Sequence, residues 1–226
     1  MLDVISSFWA QYGTILLEGT RDTLIMVLVS TIFSYIIGLP LGVLLNVTQP
    51  HGIWPHKWCN RIVGWIINVG RSLPFIILMI AIMPFTKAIV GTKIGVPGAI
   101  VPLVVSAAPF IARMVETSLA EVDAGVVEAA QSMGASTFQI IRKVYLPEAK
   151  PSLILGSSIS IITILAYTAI AGAVGAGGLG DLAVRYGYQR GVTSVMWVTV
   201  VLIIVLVQII QSVFSFLSVK VDKRLR

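Results

Sequence analysis

Four groups of residues in this chain have side chains and spacings that chemistry uses. His51, His56 and Cys59 lie close enough in sequence to share a metal ion. Residues 175–180, GAGGLG, carry the letter pattern of a dinucleotide-binding turn. Arg71 is a lone charge inside a long apolar stretch. Residues 128–149, EAAQSMGASTFQIIRKVYLPEA, interrupt a greasy chain with a polar segment that has a glycine in its middle and a proline near its end.

The first two patterns fail on context. A closed metal site wants a fourth ligand, which these three residues lack in a turn-like setting, so they read as a short connecting loop. A dinucleotide site needs a strand before the glycines and an acid about twenty residues beyond them. Here an apolar stretch of helical length precedes, and the downstream position falls in SVMWVTVV. The glycines read instead as a turn with close helix approach. No phosphate-binding loop of the Gly-Lys-Ser/Thr kind occurs, nor a Ser/His/Asp set or a buried carboxylate pair. No catalytic residue and no metal site is expected, and no cofactor of the chain's own.

The elements that would hold Arg71 and the polar segment are membrane spans. The 226 residues are 57% hydrophobic and 12% charged, against roughly 25% charged in a soluble domain. Apolar windows long enough to cross ~30 Å of hydrocarbon fall at about 23–47, 62–84, 94–114, 152–174 and 193–219. An all-α integral membrane protein follows, read as one transmembrane domain over 1–226 with five helices. The opening MLDVISSFWAQYG has neither a basic region nor a small-residue cleavage site, so no cleavable signal peptide is expected. Cys59 is the only cysteine, which excludes an internal disulfide.

Five spans put the two ends on opposite faces. With the N-terminus outside, the inner face holds Lys57, Arg61, Arg113, Arg142, Lys143, Lys150, Lys220, Lys223, Arg224 and Arg226. The outer face holds Arg21, Lys87, Lys93, Arg185 and Arg190. The bias of basic residues toward the cytoplasm favours this arrangement and places the loop of about 115–151 inside. The net charge of +6 is scattered between spans in this way rather than gathered into a nucleic-acid face.

Within the spans there is no acid or histidine to bind or relay an ion; every Asp and Glu lies at a span end or in a loop. No potassium-filter sequence occurs, and no internal repeat of the secondary-transporter kind is visible. If solute crosses, its energy comes from elsewhere. Asn68, Arg71, Ser160, Thr163 and Tyr167 are the polar side chains available to line a path, and they serve equally as glue between helices.

The polar loop has the signals of two short helices. Asp123 is placed to cap a helix running to about Met133, and Gly134 suits the left-handed residue that ends it. Ser136 and Gln139 have capping-box spacing for a second helix, whose end is expected at Leu146-Pro147. Val126, Val127, Ala130 and Met133 form one apolar edge; Phe138, Ile141 and Tyr145 form another. Such edges pack on the chain's own spans, lie in the lipid interface, or seat in a partner's groove.

These residues resemble the signature loop of ABC-importer inner-membrane permeases. Glu128-Ala129-Ala130, then Gly134, then Val144 and Leu146-Pro147 match its elements and spacing. The stretches GLPLGVLLNVTQP (38–50), RSLPFIILMIAIMPFT (71–86), AIVPLVVSAAPFIARMVE (99–116) and AGAVGAGGLGDLAVRYGY (171–188) resemble the methionine-importer branch. The resemblance implies a type I importer fold in the bacterial inner membrane, surrounded by lipid. It implies a homodimer with a second copy, two ABC ATPase subunits that hold ATP and magnesium, and an extracytoplasmic methionine-binding protein. It assigns Glu128, Ala129, Ala130, Met133, Gly134, Val144, Leu146 and Pro147 to docking on the ATPase. A related importer of another amino acid or small organic solute shares the same signature. A passive channel or membrane scaffold is the reading from a different class.

Overall fold

Long apolar runs with few backbone breakers leave the chain one way to satisfy its amides in hydrocarbon, the α-helix. The computed structural model describes residues 2–222, with side chains from residue 6 onward. Lys223, Arg224 and Arg226, used above for orientation, lie outside the described residues. The helices are α1 (Leu2–Val47), α2 (Lys57–Ser72), α3 (Phe75–Ala81), α4 (Met83–Val90), α5 (Gly95–Ala120), α6 (Ala124–Ser132), α7 (Thr137–Ile140), α8 (Leu146–Glu148), α9 (Lys150–Ala173), α10 (Gly178–Leu182) and α11 (Thr193–Val221). Two π-helical turns, Ile141–Tyr145 and Ala183–Gln189, join α7 to α8 and extend α10.

Four helices, those of 6–47, 95–120, 150–173 and 193–221, are long and apolar enough to cross a membrane. A fifth span exists if the broken pair α2 and α3 counts as one. Two expectations change here. The first span, expected from 23, belongs to a helix of 46 residues, roughly 70 Å long at 1.5 Å per residue. Glu18, Arg21 and Asp22 lie within the helix and do not end it: Glu18 and Arg21 are exposed, and Arg21 pairs with Asp22 at 3.1 Å. The second span, expected unbroken over 62–84, stops at Ser72. Leu73 is extended (φ −84°, ψ 126°) because Pro74 follows it, and the chain resumes as α3 and α4.

The chain forms two compact units, each assembled from separate stretches. One unit comprises the chain up to Ile32, Pro74–Val104 and Ile161–Ile209. Leu16, Leu179 and Leu182 form its packed centre, with Phe8, Tyr12 and Tyr186 against them. The glycine run is a tight turn here. Gly175, Gly177 and Gly178 all have positive φ, and the Leu179 amide donates to Thr23 Oγ1 at 2.8 Å. A methyl on Gly172 would strike the backbone of Gly180 and Asp181, so the close helix approach expected of these glycines is present.

The other unit comprises Phe33–Leu73, Val105–Ser160 and the chain from Ile210. Gly38 and Gly42 on α1 face α5. A Cβ at Gly42 would sit 2.5 Å from the Ala112 carbonyl oxygen, and one at Gly38 would sit 2.8 Å from that of Ala108. Gly-x-x-x-Gly against Ala-x-x-x-Ala lets the two backbones close, and dispersion then drives packing where no hydrophobic effect is available. Leu45, Ile67 and Ala112 bury together beside this seam. Tyr35 ties α1 to α9 by donating to Ser157 Oγ at 2.9 Å.

Candidate functional site

The polar loop folds as a chain of local stops. The Asp123 carboxylate accepts from the amides of Gly125 (2.8 Å) and Val126 (3.3 Å), capping α6. Its far end is a Schellman motif: Gly134 at φ 78° sends its amide to the Gln131 carbonyl, and Ala135 sends its own to Ala130. The capping box is complete, with Gln139 Oε1 accepting from the Ser136 amide and Ser136 Oγ from the Gln139 amide. Both helix starts and the glycine turn stand where the sequence signals place them.

The expected stop at Leu146-Pro147 does not occur. The chain widens into a π-turn, in which the Leu146 amide reaches the Ile141 carbonyl, and Pro147 opens α8. A proline in an α-helix clashes with the carbonyl four residues back; the wider π-turn gives that carbonyl room, and the first turn of a helix needs no amide there. The second loop helix therefore leads into the next span with little interruption.

Burial divides each apolar edge rather than keeping it whole. Val127, Ile140 and Tyr145 are buried and anchor the loop. Val126, Met133 (87% exposed) and Phe138 (68%) point outward. Of the residues matched to the signature, Glu128, Ala129, Met133 and Gly134 are exposed, while Ala130, Val144, Leu146 and Pro147 are half-buried. Burial pushes the Tyr145 phenol above its usual range.

Under α6 lies a cavity of about 230 Å³ lined by Asn46, Gln49, His51, Glu128, Gln131 and Tyr145, among others. Asn46 is 6% exposed and its Oδ1 finds no hydrogen-bond partner. Gln49 donates to Glu116 Oε1 at 3.1 Å. Glu116 also holds Arg113, which donates through Nη2 to Asn68 Oδ1 at 2.8 Å. One polar chain thus runs from α2 through α5 to the α1–α2 turn. Sequence reasoning missed Arg113, Glu116, Gln49 and Asn46. The i, i+3 spacing of Arg113 and Glu116 was the only local signal, because their partners lie far away in sequence.

Of the five path candidates, Asn68, Arg71 and Ser160 belong to the second unit and Thr163 and Tyr167 to the first. Asn68 is exposed and accepts from Arg113. Arg71 is exposed in the last turn of α2, just before the break. Ser160 is buried, and its hydroxyl donates back to the Gly156 carbonyl at 2.8 Å, so its bond serves its own helix. Thr163 is half-buried. The ring of Tyr167 stacks flat on Phe75, centroids 4.7 Å apart. His56 sits edge-on to Trp54, and Cys59 is half-buried; neither joins His51 in a cluster able to hold a metal among the described residues.

The family model described as binding-protein-dependent transport system inner membrane component matches residues 38–226. The chain is 50% identical over 222 residues to the probable D-methionine transport system permease protein MetI of Vibrio cholerae serotype O1, covering 98% of this chain and 99% of that one. It is 51% identical over 158 residues to the D-methionine transport system permease protein MetI of Escherichia coli K12, covering 70% and 73%. A solved structure of the MetNI methionine ABC transporter in an inward-facing conformation superimposes with a TM-score of 0.93 at 47% identity, over 94% of this chain and 99% of that one.

Proposed function

This chain belongs to the family of binding-protein-dependent transport system inner membrane components, and on that premise we propose that it is the membrane-spanning subunit of an ATP-driven methionine importer. Near-full-length identity to the methionine permeases supports the cargo. Two copies form the path in the bacterial inner membrane, N-terminus outside, and two ABC ATPase subunits bind ATP and magnesium on the cytoplasmic side. A methionine-binding protein delivers from the other face. The chain itself supplies no catalytic group.

The observation that carries the coupling role is the division of the loop. Buried Val127, Ile140 and Tyr145 fix it to the permease, while Glu128, Ala129 and Met133 face outward on a helix held at both ends. A helix fixed in this way transmits a push, because its caps and glycine turn hold its direction. ATP-driven closure of the ATPases moves α6, and the nearly continuous path through α7, the π-turn and α8 passes that motion into α9.

The broken pair α2 and α3 fits a solute path better than any unbroken helix does. Interrupted helices near the middle of the bilayer leave helix ends and polar groups available to a solute. Arg71 in the final turn of α2 and Asn68 one turn earlier supply them. Thr163 and Tyr167 remain path candidates; Ser160 is better placed as helix glue.

The test is co-expression with the ABC ATPase, reconstitution, and uptake of labelled methionine with D- and L-methionine as competitors. Glu128→Gln and Gly134→Val should each weaken ATPase association and uptake together. Unchanged association and uptake in both variants refute the docking role, and indifference to methionine refutes the cargo.

A further inference from the structure

The largest apolar cavity described in the second unit lies apart from the polar one. It is a groove of about 580 Å³ walled by Pro40, Val43 and Val47 of α1, by Trp54 of the following turn, and by Phe138 and Ile141 of the loop. Almost nothing polar faces it, yet the segments that follow its lining residues in sequence are basic. Arg142 and Lys143 directly follow Ile141, and both are exposed. Lys57 and Arg61, also exposed, are carried by the first turns of α2. That helix is tied to the wall of the groove: Asn60 donates to the Leu45 carbonyl at 2.8 Å, and the His56 amide donates to the Thr48 carbonyl. No acidic residue occurs in 49–62 or 133–147, and none of the four cations is in an ion pair among the described residues. Arg61 lies over the ring of Trp58, itself 74% exposed.

An apolar slot at the end of a membrane helix, with Trp54 in its wall and four cations without ion pairs close by in sequence, suits an amphiphile with an apolar tail and an anionic head. A free anion would answer the cations but not fill the slot, and a protein helix would have to bring both an apolar face and a cluster of acids. We propose that the groove binds an anionic glycerophospholipid, one acyl chain lying against Phe138 and Trp54 and the phosphate held by Arg142, Lys143 and the α2 cations. Juxtamembrane clusters of Lys and Arg select such headgroups in this way. Because Phe138 and Ile141 belong to the second loop helix, the lipid braces the loop against α1.

The test uses the full chain reconstituted in vesicles containing dibrominated acyl chains, which quench nearby indoles. Brominated phosphatidylglycerol should quench more strongly than brominated phosphatidylcholine at equal fraction. The excess should fall in Trp54→Phe and vanish when Trp58→Phe is added, which isolates the groove from the remaining tryptophans. Arg142→Gln with Lys143→Gln should reduce the preference on the order of tenfold, whereas Lys220→Gln should leave it intact. Circular dichroism establishes that each variant is folded. Equal quenching by the two lipids overturns the proposal. Quenching by neither overturns it in favour of a protein-covered face. Loss of the preference on adding millimolar inorganic phosphate overturns it in favour of a simple anion site.

Discussion

Asn68 on α2 accepts a hydrogen bond from Arg113 on α5 at 2.8 Å, across 45 residues of sequence. The same guanidinium holds Glu116, whose other oxygen accepts from Gln49. A polar side chain of the proposed path is thereby connected to the turn that lines the cavity under α6.

Replacing Arg113 with Gln should therefore do two things. Loss of a charge-assisted bond costs about 1.5–3 kcal/mol, visible as a lower thermal midpoint in detergent. It also frees Asn68 and Glu116 together, so uptake should fall more than ATPase association does. Glu116→Gln should give the same pattern more weakly, because it keeps a partner for Gln49.

The seam between α1 and α5 should tolerate almost no added volume. Gly42→Ala places a methyl against the Ala112 carbonyl, a clash costing about 1–3 kcal/mol, and Gly42→Leu should abolish a monodisperse peak on gel filtration. Gly64→Ala provides the contrast, since its nearest neighbour would be Leu45 at 3.8 Å, and it should behave as the parent.

Gly134 offers a cleaner test of backbone freedom. Nothing lies within 4 Å of a Cβ added there, so any effect is conformational. Alanine at φ 78° should cost about 1 kcal/mol, asparagine less and valine more. Amide hydrogen exchange across 124–141 should rise in that order.

Tyr145 gives a pH signature. Burial raises its phenol above the ordinary value of 10.0, so folding favours the neutral form. Stability from this residue is complete below the unfolded value and is lost as pH climbs through the folded one. Tyrosinate absorbance of the parent should include a late-titrating component that is missing in Tyr145→Phe, whose loop exchange should stay flat over the same range.

What the sequence revealed depended on the range of the forces involved. Caps at Asp123 and Ser136 and the turn at Gly134 were legible because each is settled by residues within four positions. The break at Leu73 was masked because an apolar window sums over a kink without registering it, although Pro74 marked the place. The charges of 18–22 suggested a boundary in α1, but a helix continues through charge when water accepts the side chains. Leu146-Pro147 was read as a stop because proline ordinarily ends α-helices; the π-turn that admits it has no sequence signature of its own. Arg113 joins Asn68 and Gln49 only through tertiary placement. The path candidates were legible as polar residues in apolar runs, but their partners, such as Gly156 for Ser160 and Phe75 for Tyr167, were not.

Both compact units draw their final stretch from α11, one up to Ile209 and the other from Ile210. During synthesis, the core around Leu16, Leu179 and Leu182 cannot be completed until Val198, Leu202 and Leu206 of α11 leave the insertion machinery. Until then the nascent chain holds those leucines in the bilayer without that cover, whereas the Gly38–Gly42 seam already has its partner in α5. A premature stop before residue 193 therefore leaves the first unit without part of its core, while the seam between α1 and α5 is already formed. Membrane quality control would encounter a chain whose two units mature at different times.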